Sequence, residues 1–197
     1  MTPAGRLRAA LADAPHWPWL ESALGEPGTI ARSFAAAGRR TGRAPLPAAP
    51  GWTADEAARA LLLAALPPDR LPAELPDLYR YGDADEKRAV LKALPLLPIG
   101  TEAVPLLRDA IRTNDARLLA AAVGPYSRHL DQPAWRQAVL KCVFMGVPLA
   151  EVDRLGERAD AELTAMLAAY ADELAAAGRS MPADAAALLD LLTREET

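Results

Sequence analysis

Apolar residues in this chain recur at the three-to-four-residue spacing of an amphipathic helix almost everywhere. Its 18 prolines and 12 glycines fall mostly between those stretches. Proline lacks the N–H that an inner helical turn needs and glycine opens positive φ, so both cost least at a joint. No run alternates apolar and polar residues with the Val, Ile and Thr enrichment of a strand. The expected fold is all-α: irregular stacked helical hairpins in the manner of a HEAT-like solenoid, or a compact helical bundle.

Capping residues place several of the helices. In "TADEAARALLLAALPP" (53–68), Thr53 and Glu56 have capping-box spacing, and in "DADEKRAVLKALPLLP" (83–98) so do Asp83 and Glu86. "TEAVPLLRDAIRTN" (101–114) tolerates Pro105 near its start, and Asp115 begins the next helix. "PAWRQAVLKCVFMG", "RADAELTAMLAAYADELAAAG" and "MPADAAALLDLLTREE" follow, while "RLRAALADA", "HWPWLESAL" and "TIARSFAAAG" form three shorter helices at the front. The expected organisation is a helical element over 1–40, a linker over 41–52 ("TGRAPLPAAPGW") and a helical array over 53–197, together one compact domain.

Charge and composition exclude several classes of function. A net charge of -4 leaves no basic excess for nucleic acid, and the run "GRRTGR" (38–43) reads as a solvated helix end. One cysteine forms no internal disulfide, so a reducing, cytoplasmic location is expected. The front of the chain lacks the apolar core of a secretion signal, and runs such as "ARALLLAALPP" are too short for membrane insertion. With His16, His129 and one cysteine, soft metal ligands are scarce, so no metal is expected. No glycine-rich phosphate loop follows a strand, so no cofactor is expected either.

Chemistry-bearing residues concentrate in "GPYSRHLDQPAWRQAVLKCVFMG" (124–146). Asp131 is placed to cap the helix, and Trp135, Val139, Cys142 and Val143 share one face, with Leu140 at its edge. That face reads as core, with Cys142 inert. Gln137 and Lys141 lie on the opposite side, where Lys141 is either solvated or a cation facing an anionic group. His129 titrates near neutrality and is a candidate acid or base, with Asp131 to orient it and Tyr126 and Arg128 nearby. In "RDAIRTNDAR" (108–117), Arg108 and Arg112 are expected to hold carboxylates of other helices, and Asn114 to end its helix in a left-handed conformation. The joints at 113–115 and 124–131 enclose one short helix and are expected to border a common cleft.

The ordered run "RTND", "GPY", "AWRQAVLKCVFMG" and "ADAELTAMLAAYADELAAAGR" resembles the EboA family of metabolite-traffic proteins. The likeness extends from about Gly38 to about Arg179. Arg112, Thr113 and Asn114 match the family's Arg-Thr-Asn, and Trp135, Gln137, Val139, Leu140 and Lys141 match its Trp-x-Gln-x-Val-Leu-Lys segment. Val123 and Gly124 depart from a Glu-Asn-Pro-Tyr pattern. The resemblance implies a soluble cytoplasmic protein in a natural-product pathway that includes a membrane prenyltransferase of the UbiA type and moves metabolite precursors toward the periplasm.

The expected function is binding and hand-off of a secondary-metabolite or prenylated precursor in secondary metabolism, with other pathway proteins as possible partners. The expected ligand-binding residues are Arg112, Asn114, Tyr126, Arg128, His129, Trp135 and Lys141. One alternative is a cofactor-free tailoring enzyme, an isomerase or cyclase using His129, Asp131 and Tyr126. The other is a non-catalytic protein-interaction scaffold.

Overall fold

The computed structural model describes residues 2–195 and, among them, twelve α-helices and no sheet. Among the described residues the only pairing of strand type is an isolated bridge between Pro45 and Thr53. The all-α expectation holds. Contacts group the chain into two compact units, Met1–Leu106 and Leu107–Thr197.

The first unit contains α1 (Pro3–Leu11), α2 (Trp17–Leu24), α3 (Ile30–Thr41), α4 (Ala54–Ala64), α5 (Leu71–Tyr81) and α6 (Ala84–Ala93). Its packing is that of a bundle around one central helix. α4 touches α1, α2, α3 and α6, and α5 packs on α6. Ala54 through Leu63 are all buried, including the four alanines at 54, 57, 58 and 60 that let neighbouring helices approach closely. Both capping boxes form, Thr53 with Glu56 and Asp83 with Glu86. The 41–52 segment lies within this unit as a tight loop, where the Leu46 N–H donates to the Trp52 carbonyl at 2.9 Å and Ala49 is buried.

α7 (Val104–Arg112) crosses from the first grouping into the second. The second continues with α8 (Ala116–Ala122), α9 (Gln132–Met145), the single turn α10 (Leu155–Arg158), α11 (Ala161–Ala176) and α12 (Ala183–Glu195). α9 packs on α8 and α11, and α11 on α12. Trp135, Val139, Cys142 and Val143 form the buried face of α9, as their spacing requires. α9 ends at Gly146, whose φ of 69° lets the Val147 N–H turn back to the Cys142 carbonyl at 2.9 Å.

Two local expectations are corrected. Asn114 is not left-handed: among the described residues, Arg154 is the one non-glycine with positive φ. The end of α7 is closed instead by the Thr113 hydroxyl, which donates to the Ala110 carbonyl at 2.8 Å, and by Lys141. Arg112 does not reach another helix. At the last position of α7 its side chain is 74% exposed and pairs with Asp109 of its own helix at 3.3 Å. Arg108 does bridge elements, holding Asp131 at 2.8 Å.

Candidate functional site

A helix buried on every side belongs at the centre of a unit, and its charged residues then need partners. α4 carries three such residues, Asp55, Glu56 and Arg59, all buried. Arg59 Nε donates to the Phe34 carbonyl at 3.1 Å and one terminal nitrogen donates to Asp55 at 2.6 Å. The guanidinium lies 5.5 Å from the Phe34 ring centroid. Its other terminal nitrogen, Nη2, stands 3.7 Å from Glu86 Oε1, an ion pair beyond hydrogen-bond distance.

Glu56 anchors a second branch of the network. It accepts the Thr53 N–H at 3.0 Å and pairs with Arg88 at 3.0 Å and with Lys92. Lys92 also donates to the Gly51 carbonyl at 2.6 Å and sits 4.6 Å from the Trp52 ring centroid. Burial pulls the Lys92 ammonium below its ordinary pKa, and the bond to Glu56 opposes that shift.

Beside this network lies a partly open cavity of about 500 Å³, lined by Gly38, Arg39, Arg43, Arg59, Asp83 and Glu86. The last turn of α3 supplies Gly38 and Arg39, α4 supplies Arg59, and the start of α6 supplies Asp83 and Glu86. Gly38 keeps the floor clear, because a Cβ there would come within 3.3 Å of Arg59 Nη2. The α6 capping box fixes the acidic wall: Asp83 accepts the Glu86 N–H at 2.8 Å, and Glu86 Oε2 accepts the Asp83 N–H at 3.1 Å. Arg43 pairs with Asp85 at 2.8 Å, while Arg39 is exposed and has no ion pair among the described residues. A smaller cavity of about 200 Å³ lies between α1 and the 48–52 loop, against Leu7, Trp52 and Leu96.

The residues anticipated between 112 and 141 occupy the second unit and fall into three groups. Lys141 is half-buried and donates to the carbonyls of Ile111 and Thr113 at 2.6 and 2.7 Å. Arg112 and Asn114, close by in sequence, are exposed. Tyr126 is buried with its ring 4.7 Å from that of His129, and Arg128 Nε donates to His129 Nε2 at 3.2 Å. Burial and the Arg128 charge lower the His129 pKa. Asp131 turns to other groups than His129, accepting the Ala134 N–H at 2.8 Å and pairing with Arg108. Trp135 is fully buried beneath the Arg158 guanidinium, 4.7 Å from its ring centroid. Arg158 in turn donates to the carbonyls of Ser127 and Leu130 at 2.9 and 3.0 Å. The two joints are thus each tied by a different cation, Lys141 at one and Arg158 at the other.

The cavity residues were hidden in the sequence for separate reasons. "GRR" within 38–43 reads as a solvated helix end, and Asp83 and Glu86 read as caps, which they also are. Arg59 had a signal: with Asp55 it makes an i,i+4 pair inside a stretch of alanine and leucine that is apolar around its whole circumference.

Among the described residues no group of three or more His, Cys, Asp or Glu is arranged to hold a metal ion, and no helix is long and apolar enough to cross a membrane.

Fold and cavity together define an all-helical protein with a charged small-molecule-sized recess in its N-terminal unit. The chain belongs to the EboA family: the family model described as "Metabolite traffic protein EboA" matches residues 34–190. Neither curated proteins nor solved structures give a match to this chain.

Proposed function

We propose that this protein binds a small polar metabolite in the cavity floored by Arg59 and hands it on without transforming it, on the cytoplasmic side of a natural-product pathway. The observation that carries the reading is Arg59 itself. It is a buried guanidinium held in place by Phe34 and Asp55; its remaining terminal nitrogen stands 3.7 Å from Glu86 and makes no hydrogen bond, and the residue lines the cavity wall. A preorganised cation of this kind suits ligand recognition, because its ordering entropy is spent in folding rather than in binding. The cavity volume falls within the roughly 300–1,000 Å³ of small-molecule sites. The family's description as metabolite-traffic proteins agrees with a carrier. The residues anticipated at 112–141 would then serve the second unit's packing, through Lys141 and through Trp135 beneath Arg158.

The test is to purify the full chain and its Gly38→Val variant from native cells, denature both, and identify the released small molecules by mass spectrometry. A molecule released stoichiometrically from the parent chain and absent from Gly38→Val supports the reading. Equal release from both removes the cavity as the site.

A further inference from the structure

We infer that the smaller cavity is a second binding site, for an organic monoanion whose apolar body is about the size of one ring. It shares no lining residue with the Arg59 cavity.

One wall is α1, which contributes Pro3, Arg6 and Leu7, three and four positions apart and so on one helix face. The other wall is the 48–52 loop, and it is rigid. The Trp52 N–H donates to the Ala49 carbonyl at 3.1 Å, the Ala49 N–H to the Leu46 carbonyl at 3.0 Å, and the Leu46 N–H to the Trp52 carbonyl at 2.9 Å. Pro45, Pro47 and Pro50 fix φ at three more positions. Lys92 pins the end of the loop through the Gly51 carbonyl at 2.6 Å, and its ammonium sits 4.6 Å from the Trp52 ring centroid. Trp52 is half-buried, and indole surface that Lys92 leaves uncovered lines the cavity. A wall built this way loses little freedom when a ligand docks.

Apart from Arg6 the lining is apolar, and the volume is about 200 Å³. An apolar cavity of roughly 150 Å³ accepts benzene, so a six-membered ring fits here with room for a substituent. Lys92 pairs with Glu56, which balances its charge. Among the described residues Arg6 has no ion pair, and no carboxylate lines the cavity. One uncompensated cation beside apolar walls matches one negative charge on an apolar body. Arg6 is exposed, so its guanidinium fork is open to a carboxylate at the mouth. A neutral ring would leave that fork unused, and an anion without a body would bury nothing against Leu7 and Trp52.

The test titrates the ¹⁵N-labelled full chain with benzoate, acetate and benzamide and follows the Trp52 indole N–H resonance, assigned by its loss in Trp52→Leu. Benzoate should move it saturably. Acetate, which lacks the buried body, should bind roughly tenfold more weakly or less. Benzamide should bind the parent chain roughly threefold more weakly than benzoate does, the scale of an exposed ion pair. Arg6→Gln should weaken benzoate by the same factor and leave benzamide unchanged. Ala48→Phe, which fills the cavity from an exposed position, should abolish the response, and Gly38→Val should bind benzoate as the parent does. The site is overturned if benzoate gives no saturable shift, if acetate or benzamide matches it, or if Arg6→Gln or a folded Ala48→Phe binds benzoate as the parent does. Loss of benzoate binding in a folded Gly38→Val would move the ligand to the Arg59 cavity and overturn it as well.

Discussion

Arg59 donates to Asp55, one turn earlier on the same helix, at 2.6 Å, and their side chains are only 2% and 3% exposed. A surface pair of this spacing adds a few tenths of a kcal/mol to a helix. Buried at the centre of a unit it behaves differently, because desolvating both ions costs about as much as their attraction returns, and each is retained only while the other stands. The pair fixes how α3, α4 and α6 meet, since Arg59 also holds the Phe34 carbonyl on α3 and faces Glu86 on α6.

Removing one partner should therefore be severe. Arg59→Met leaves the Asp55 carboxylate buried beside an apolar side chain and is expected to lower stability by about 3–5 kcal/mol. Asp55→Asn with Arg59→Met in the same chain should cost clearly less than the two changes summed, because the stranded charge is gone. Urea denaturation of the three variants at pH 7 measures both quantities. A loss under 1 kcal/mol for Arg59→Met would mean that water reaches the network.

Helical period, proline and glycine joints and capping boxes made the all-α fold readable before any coordinates, because those signals act within a few residues. The spacing of Trp135, Val139, Cys142 and Val143 alone predicts one buried face of α9, and they are core. The cavity was not readable, since it depends on which helix sits in the middle. "DEAARALLLA" carries a helical pattern whether it lies on a surface or at a hub, and its burial on all sides comes from α1, α2, α3 and α6, which are distant in sequence. For the same reason Lys141 could be assigned a side of α9 but not its partners, the Ile111 and Thr113 carbonyls some thirty positions earlier.

Those two carbonyls lie at the end of α7, where the last turn has no N–H groups of its own to satisfy it. Lys141→Met keeps the aliphatic stem and removes the donor, so the expected cost is about 1–3 kcal/mol, the penalty for polar groups left without partners. On the proposed reading, any small molecule that co-purifies with the parent chain should co-purify equally with Lys141→Met. Loss of the molecule from a Lys141→Met protein that is still folded would move the binding site to the second unit.

The lone thiol reports on that unit's integrity. Burial pushes the Cys142 pKa up to about 12, against an ordinary value near 9. At pH 8 the thiolate fraction is then about a thousandfold smaller than for an exposed cysteine. Iodoacetamide should leave the folded protein unmodified over hours and label it quickly in urea, with the labelling midpoint tracking the loss of helix. The folded state holds this proton more tightly than the unfolded one, so stability should also fall as pH rises above about 9. Rapid labelling of the native protein at pH 8 would place the thiol at the surface.

Asp160 makes the acid limb of stability specific. It caps α11 by accepting the Leu163 N–H at 3.1 Å, and it takes Arg136 in a two-pronged contact at 2.8 and 2.6 Å. The Arg136 hydrogen bond is the main cause that holds its pKa at about 2, below the ordinary 3.8. A folded-state pKa lowered in this way contributes stability that is complete above about pH 4 and disappears as pH falls through 2. Asp160→Asn retains a good capping side chain while deleting the charge, which separates the ion pair from the cap. The variant should melt on the order of 2–4 °C lower than the parent at pH 7, the shift of about 1 kcal/mol in a chain of this size. The gap should close steadily between pH 4 and pH 2, where protonation leaves the parent with a neutral carboxyl as well. Thermal melts at half-unit pH steps read both curves, and the absence of a gap at pH 7 would show that Asp160 acts through its cap alone.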